Sequence, residues 1–309
     1  NLKTRVINDL TFNSSDLISN KGFKNNYNIY FKNLNTTATN DSQYKSSAQI
    51  ELMSILELNS SFPMISESLT NTDYLTPKIS FRLNPGDMKD YSSSERKVSV
   101  NNIFEINRLG IDDSFEEGKS ITVGLDYKKT NTSDINKFFE TKIATIYREH
   151  QEKFIPLTSG ISDKNSNIFG SISNNFSENI NINYDFILDN DLNTIEYNSL
   201  NTTLQFRNLK TEFNFISEHR DIGSTNTLSN NTKIKFNEEN YLSFNTRRNR
   251  EINLTEYYDL IYEYKNDCLV AGIKYNKTYY EDRDLRPSEN LLFTITLSPL
   301  TSFEQKVDQ

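Results

Sequence analysis

Asp112-Asp113 and Glu116-Glu117 crowd four carboxylates into one short stretch just after Arg108. Oxygen-rich clusters of this kind are what Ca²⁺ and Mg²⁺ take as ligands. The spacing is not that of an EF-hand loop, however, and it supplies no complete coordination set. Acid–base pairs of the glycosidase type need two carboxylates held several ångströms apart across a cleft. With 42 Asp and Glu in the chain, no pair stands out. His150, in Tyr147-Arg-Glu-His-Gln151, and His219, in Glu218-His-Arg-Asp221, each lack a second His nearby, so no zinc spacing exists. Cys268 is the one cysteine. It reads either as a small buried thiol or, in an exported chain, as half of a bridge to a cysteine outside this segment. The residues thus predict no catalytic set, no metal and no cofactor, and a protein that is not an enzyme.

The elements that carry these residues read as strands. In Asn179 to Leu188, the residues Ile180, Ile182, Tyr184, Phe186 and Leu188 fall on one face, and Asn181, Asn183 and Asp185 on the other. That is the period of a strand. It recurs where Leu291, Phe293, Ile295 and Leu297 alternate with Leu292, Thr294 and Thr296. Similar alternation marks Val6 to Phe12, Tyr27 to Leu34, Ile79 to Leu83, Ile121 to Tyr127 and Ile143 to Tyr147, and returns at short intervals from Ile168 onward. Gln49 to Leu58 mixes helical and strand spacing; its context favours strand. Asn84-Pro-Gly-Asp87 predicts a turn, with a polar excursion following it, and Glu149 to Asn167 reads as a loop. The pattern predicts about fifteen antiparallel strands. No Gly- or Pro-rich linker divides them, so residues 1–309 form a single domain.

Composition narrows what such a sheet can be. Hydrophobic residues are only 35 % of the chain and mean hydropathy is -0.67, low for a soluble domain of this length. Yet 20 Phe and 17 Tyr are too many for a disordered chain. A membrane β-barrel reconciles the two, because its lumen is polar and only alternate residues face lipid. No apolar run is long enough for a membrane helix. The net charge of -8 argues against a nucleic-acid partner. Trp is absent, although Tyr can serve at membrane interfaces.

Alternation alone also fits a soluble sandwich, jelly roll or β-solenoid. The distinction lies in where the faces point. In a barrel Phe213, Phe215, Phe236, Phe244, Tyr262 and Ile273 point outward, while Lys233, Glu263 and Lys274 line water. In a sandwich the same apolar residues pack inward.

Residues Asn101 to Gly118 read NNIFEINRLGIDDSFEEG, followed by SITVGLDY. This resembles the signature of the LptD family, the lipopolysaccharide-assembly (organic solvent tolerance) proteins of the outer membrane. Aligned without gaps, Asn107, Arg108, Asp113, Glu116 and Gly118 match. The family's Gly falls at Ile111 and its Asp-Arg arginine at Ser114, with Gly110 one place earlier. A second similarity runs through Tyr262 to Tyr264, Asp267-Cys268-Leu269, Tyr275, Tyr279, Asp282, Asp284 and Pro287 to the strand Leu291–Leu297. Together they cover roughly Leu75 to Leu300.

The resemblance implies the C-terminal portion of a transmembrane barrel of 26 strands, the N-terminal jellyroll and first strands being absent from this segment. It implies translocation of lipopolysaccharide and its insertion into the outer leaflet of the Gram-negative outer membrane, with no bond made or broken. The implied partners are an LptE-like lipoprotein plug, a periplasmic lipopolysaccharide-bridge protein acting through the jellyroll, and outer-membrane lipids. The motif residues Asn107, Arg108, Asp113, Glu116 and Gly118 would lie in an extracellular segment that caps the lumen, with Arg108 pairing Asp113. Cys268 would bridge to a periplasmic cysteine. Leu291, Phe293, Ile295 and Leu297 would form the last strand, facing a lateral gate. A surface adhesion module and a solute porin are the competing readings.

Overall fold

In the computed structural model, which describes residues 2–297 and 301–307 apart from 42–43, 178 and 280–286, almost every alternating stretch is a strand. Asp282, Asp284 and Pro299 lie outside the described residues. The first half of the chain holds β1 (Leu2–Asn13), β2 (Leu17–Ile18), β3 (Lys24–Thr39), β4 (Gln49–Ser61), β5 (Met64–Glu67), β6 (Asn71–Asn84), β7 (Gly118–Asn131) and β8 (Phe138–Arg148). The second half holds β9 (Ile168–Ser177), β10 (Ile180–Leu188), β11 (Ile195–Phe206), β12 (Leu209–Glu218) and β13 (Asn226–Lys235). It continues through β14 (Asn240–Asn249), β15 (Leu254–Lys265), β16 (Leu269–Thr278), β17 (Ser288–Leu297) and β18 (Thr301–Val307).

All eighteen segments belong to one antiparallel sheet. Two are continuations: β2 extends β1 along β3, and β5 extends β4 along β6. The result is a meander of sixteen legs, each bonded to the next in sequence. Pro77 sits inside β6, where a missing N–H would normally break the ladder. It lies opposite the junction between β4 and β5, and its carbonyl accepts from the Phe62 N–H at 3.1 Å.

The strand Leu291–Leu297 is not the last one. It pairs with β16 on one side and with β18 on the other, so Leu291, Phe293, Ile295 and Leu297 do not form an edge. Beyond it Thr301–Val307 adds a strand despite its polar sequence, because backbone pairing needs no apolar side chains. The sheet's two outermost strands are β1 and β18, and no pairing joins them among the described residues.

Directly paired residues share a face, so the register carries one apolar surface around the sheet. Tyr27, Leu58, Phe81, Ile121 and Tyr147 form one row across β3, β4, β6, β7 and β8. Ile234, Leu242, Tyr262, Ile273 and Phe293 form another across β13 to β17. This face is the exposed one: Leu10 is 66 % accessible and Leu52 79 %. The opposite face buries Lys32, Glu57, Arg82 and Arg148, each at 5 % or less. A soluble sheet does the reverse. Lys233 and Lys274 share the polar face through Ser243 and Ile261, and Phe213, Phe236, Tyr262 and Ile273 are exposed on the apolar side.

The connections differ between the two ends. One end carries residues 85–117 and 149–167, together with 40–48, 189–194 and 219–225. The other is closed by short links such as 207–208, 236–239 and 266–268. The two longest connections fold back onto the polar face and make the apolar interior there. Val98, Val100, Ile103, Leu109 and Ile111 pack with Ala144 and Ile146 of β8 and Phe169 of β9. Phe115 packs with Leu34, Met53 and Ile55.

Candidate functional site: an ionic cluster that anchors an internal excursion

Residues 85–117 leave the sheet after Asn84 and rejoin it at Gly118. The start is a side-chain turn, with the Gly86 N–H donating to Asn84 Oδ1 at 2.9 Å. Asn107 clamps the middle: its Nδ2 donates to the Ile111 carbonyl at 3.0 Å, and its Oδ1 accepts from the Ile111 N–H at 3.2 Å. Gly110 lies inside that clamp at φ 61°, a left-handed conformation that favours glycine. Gly118, at φ 82°, turns the chain into β7.

Glu116 sits at the centre, with three guanidiniums around it. Arg108 grips it through two bonds, Nε to Oε1 at 2.7 Å and Nη2 to Oε2 at 2.6 Å. Arg82 of β6 reaches Oε1 at 3.3 Å, and Arg148 of β8 donates to Oε2. The remaining donors are used as well. Arg108 Nη1 donates to Thr122 Oγ1 at 2.9 Å, and its Nη2 donates to Ser120 Oγ at 3.2 Å, both on β7. Arg82 donates to the Glu105 carbonyl and meets Glu57 of β4 at 3.4 Å. Arg148 Nε donates to the Ile161 carbonyl at 2.9 Å, which ties in the 149–167 connection.

Burial by itself pushes the Glu116 carboxyl up, but the Arg108 and Arg148 guanidiniums outweigh it and hold the group well below the usual carboxylate range. Buried charges are tolerated only when paired and fully bonded, and this cluster meets that condition. Its chemistry is static. It crosslinks β4, β6, β7 and β8 to both internal connections and exposes no nucleophile or general base.

The five motif residues therefore have definite places. Asn107, Arg108, Glu116 and Gly118 build and anchor the excursion. Asp113 does not pair with Arg108, as had been expected, because Glu116 already occupies that fork. Asp113 instead accepts from the Tyr91 hydroxyl and lies 3.7 Å from Arg5 of β1. Asp112 is exposed, 3.6 Å from Arg5, so the four clustered acids do not converge on one point. Arg82, Arg148 and Glu57 were missed by the sequence reading. For Arg82 and Glu57 the signal was a charge between two apolar neighbours in an alternating strand, as in Phe81-Arg82-Leu83 and Leu56-Glu57-Leu58; Arg148, followed by Glu149, carried no such signal.

Farther round, Arg220 bridges Asp189 at 3.0 Å and Glu196 at 3.3 Å, while Lys97 of the excursion donates to Glu218 of β12. Among the described residues, no hydrogen bond or ion pair joins either long connection to the sheet beyond β12. Lys274 there lies 3.6 Å from Asp259. Cys268 is exposed in the 266–268 link, at the end with short turns.

A single meandering antiparallel sheet with its apolar face exposed and its charged face packed by its own loops defines a protein of the outer-membrane β-barrel class. The model of the family described as "LPS transport system D", LptD, matches residues 20–248. The chain belongs to the LptD family, and its general role is lipopolysaccharide transport and assembly. None of the curated protein sequences compared with it matches. Among solved structures it is similar to a doubly substituted mutant of the Rh. blastica porin, at 9 % identity over 90 % of each chain with a TM-score of 0.34. It is also similar to a mutant of the ferric enterobactin receptor PfeA from Pseudomonas aeruginosa, at 9 % identity and TM-score 0.36. That match covers 98 % of this chain and 56 % of the receptor. The siderophore receptor PirA from Acinetobacter baumannii gives 7 % identity and TM-score 0.38, covering 95 % of this chain and 56 % of the receptor.

Proposed function

We propose that this chain forms part of the wall of a lipopolysaccharide translocation barrel whose lumen is partly closed from within by residues 85–117. The observation that carries the proposal is the Glu116 cluster: residues of the family motif hold a long connection against the polar face. The end bearing the long connections is the extracellular one, following the loop asymmetry of such barrels. The excursion then caps the route beneath the cell surface. Lipid leaves sideways at a seam between terminal strands of the complete barrel, where backbone pairing is weakest. Leu291–Leu297, having a neighbour on each side, is not that seam.

The part of the polar face beyond β12 is the surface that an LptE-like lipoprotein plug would meet. A jellyroll upstream would receive lipopolysaccharide from the periplasmic bridge protein. Cys268, exposed among the short turns, would face the periplasm, where a bridge to a cysteine outside this segment can form. The chain contributes binding surface and geometry but no chemical step.

Depletion of the protein in cells tests the reading. Newly made lipopolysaccharide should then stop reaching the surface while other barrel proteins still assemble. Normal arrival would overturn it. A solute porin would instead show reduced uptake of small solutes with lipopolysaccharide export intact.

A further inference from the structure

The apolar outer face ends, at the long-connection end of β14, in two arginines. Arg248 is paired directly with Leu228 of β13, so its side chain leaves the sheet on the outer side. Arg250 begins the turn after β14, and its guanidinium lies over the ring of Phe215, 5.2 Å from the centroid. Phe215 is on the same outer face, paired with Leu200 and Leu228. Both arginines are exposed.

Their level is fixed by an aromatic row. Tyr258 pairs with Thr246, the outward residue just before Arg248. It stacks on Phe244 at 6.1 Å and meets Tyr279 edge-on at 5.9 Å. Tyrosines in such a row sit at the membrane–water boundary. Arg248 is one outward position beyond that boundary, the depth of lipid headgroups.

The surrounding charges leave these two cations available. Arg247 points to the polar face and is neutralised by Glu256 at 3.0 Å. Lys277, also at this rim, is held by Glu289 at 3.1 Å. Among the described residues Arg248 donates only to the neutral Asn253 side chain. Arg250 has its ring contact. Among the described residues no carboxylate bridges either one, and Glu251, the nearest acid in sequence, is exposed in the turn. Two guanidinium forks without a carboxylate, above an apolar wall, match a phosphate carried on an acyl-chain anchor.

We propose that Arg248 and Arg250 hold a phosphate group of an outer-leaflet lipid against the barrel rim, with its acyl chains lying along Phe215 and Leu228. The inference rests on the outward face, its depth and the extracellular assignment of this end proposed above, and not on the transport route.

The full protein, extracted in mild detergent, can be titrated with bis-phosphorylated lipid A, with dephosphorylated lipid A and with inorganic phosphate, and bound lipid counted by native mass spectrometry. The unmodified protein should prefer the phosphorylated lipid. Arg248→Gln with Arg250→Gln should lower that affinity about tenfold, the scale of one or two charged hydrogen bonds, without changing the dephosphorylated lipid. The Lys/Lys replacement should keep part of the preference. Unchanged affinity in the neutral variant would overturn the proposal. So would full competition by inorganic phosphate alone, which would assign the pair to a free anion. If the neutral variant fails to fold, equal binding of the two lipids by the unmodified protein overturns it by itself.

Discussion

Glu116 is the residue on which the interior depends, because three arginines from three parts of the chain share its two oxygens. Glu116→Gln removes the charge and leaves Arg108 and Arg148 buried without their counter-ion, with Glu57 alone left to balance Arg82. Breaking a buried pair in this way costs about 3–5 kcal/mol, and protection of residues 85–117 from protease should fall accordingly. The pH dependence has a definite sign. The folded-state pKa lies below the unfolded one, so the cluster's stabilisation is complete above the ordinary Glu value of about 4.3. It is lost as pH falls from there through the folded value. Acid unfolding of the excursion followed by proteolysis should show this, and Glu116→Gln should flatten the acid limb. At this scale the sequence was legible in part. The motif located Arg108 and Glu116, but the choice between Asp113 and Glu116 as partner is made by a fold that buries both. Arg82, Arg148 and Glu57 come from strands distant in sequence, and only the register brings them together.

The strands carry the division between lipid and interior. Ile273 on the outer face and Lys274 on the inner face are consecutive, yet their tolerance should differ sharply. Ile273→Arg near the centre of the apolar band should cost about 2–4 kcal/mol, read as a lowered midpoint in urea-induced unfolding from lipid vesicles. Lys274→Ala, which removes a half-exposed pair with Asp259, should cost under about 1 kcal/mol. Similar costs for both would mean the faces are misassigned. Alternation made most strands legible, including the ambiguous Gln49 to Leu58, whose helical spacing yields to pairing with β3 along its whole length. β18 was not legible, since its polar sequence lacks the apolar period while its backbone pairs normally. Which face would be outward was likewise open in the sequence. Alternation is symmetric, and what decides is that the connections fill the charged side.

As a whole molecule, on the function proposed above, the sheet is a partition whose internal stopper is residues 85–117. Replacing residues 86–116 with a short turn should leave the sheet folded but open its lumen, and cells carrying the variant should admit large hydrophilic antibiotics. Unchanged resistance would mean the excursion does not limit passage. Non-reducing electrophoresis of the complete protein, with and without Cys268→Ser, should show a mobility difference if the thiol is bridged; identical mobility would count against the bridge. The long excursion after Asn84 was legible as a polar interruption with a motif at its end, but its inward folding was not. Val98, Ile103 and Ile111 reveal an inner surface only when set against Ile146 and Phe169. The outward direction of the apolar face is tested by single fluorophores at Phe213, Leu260, Ile273 and Phe293, and separately at Lys233, Glu263 and Lys274, in a Cys268→Ser background in brominated-lipid vesicles. Strong quenching is expected at the first four positions and little at the other three. Quenching of the lysine and glutamate sites with protection of the apolar ones would contradict it.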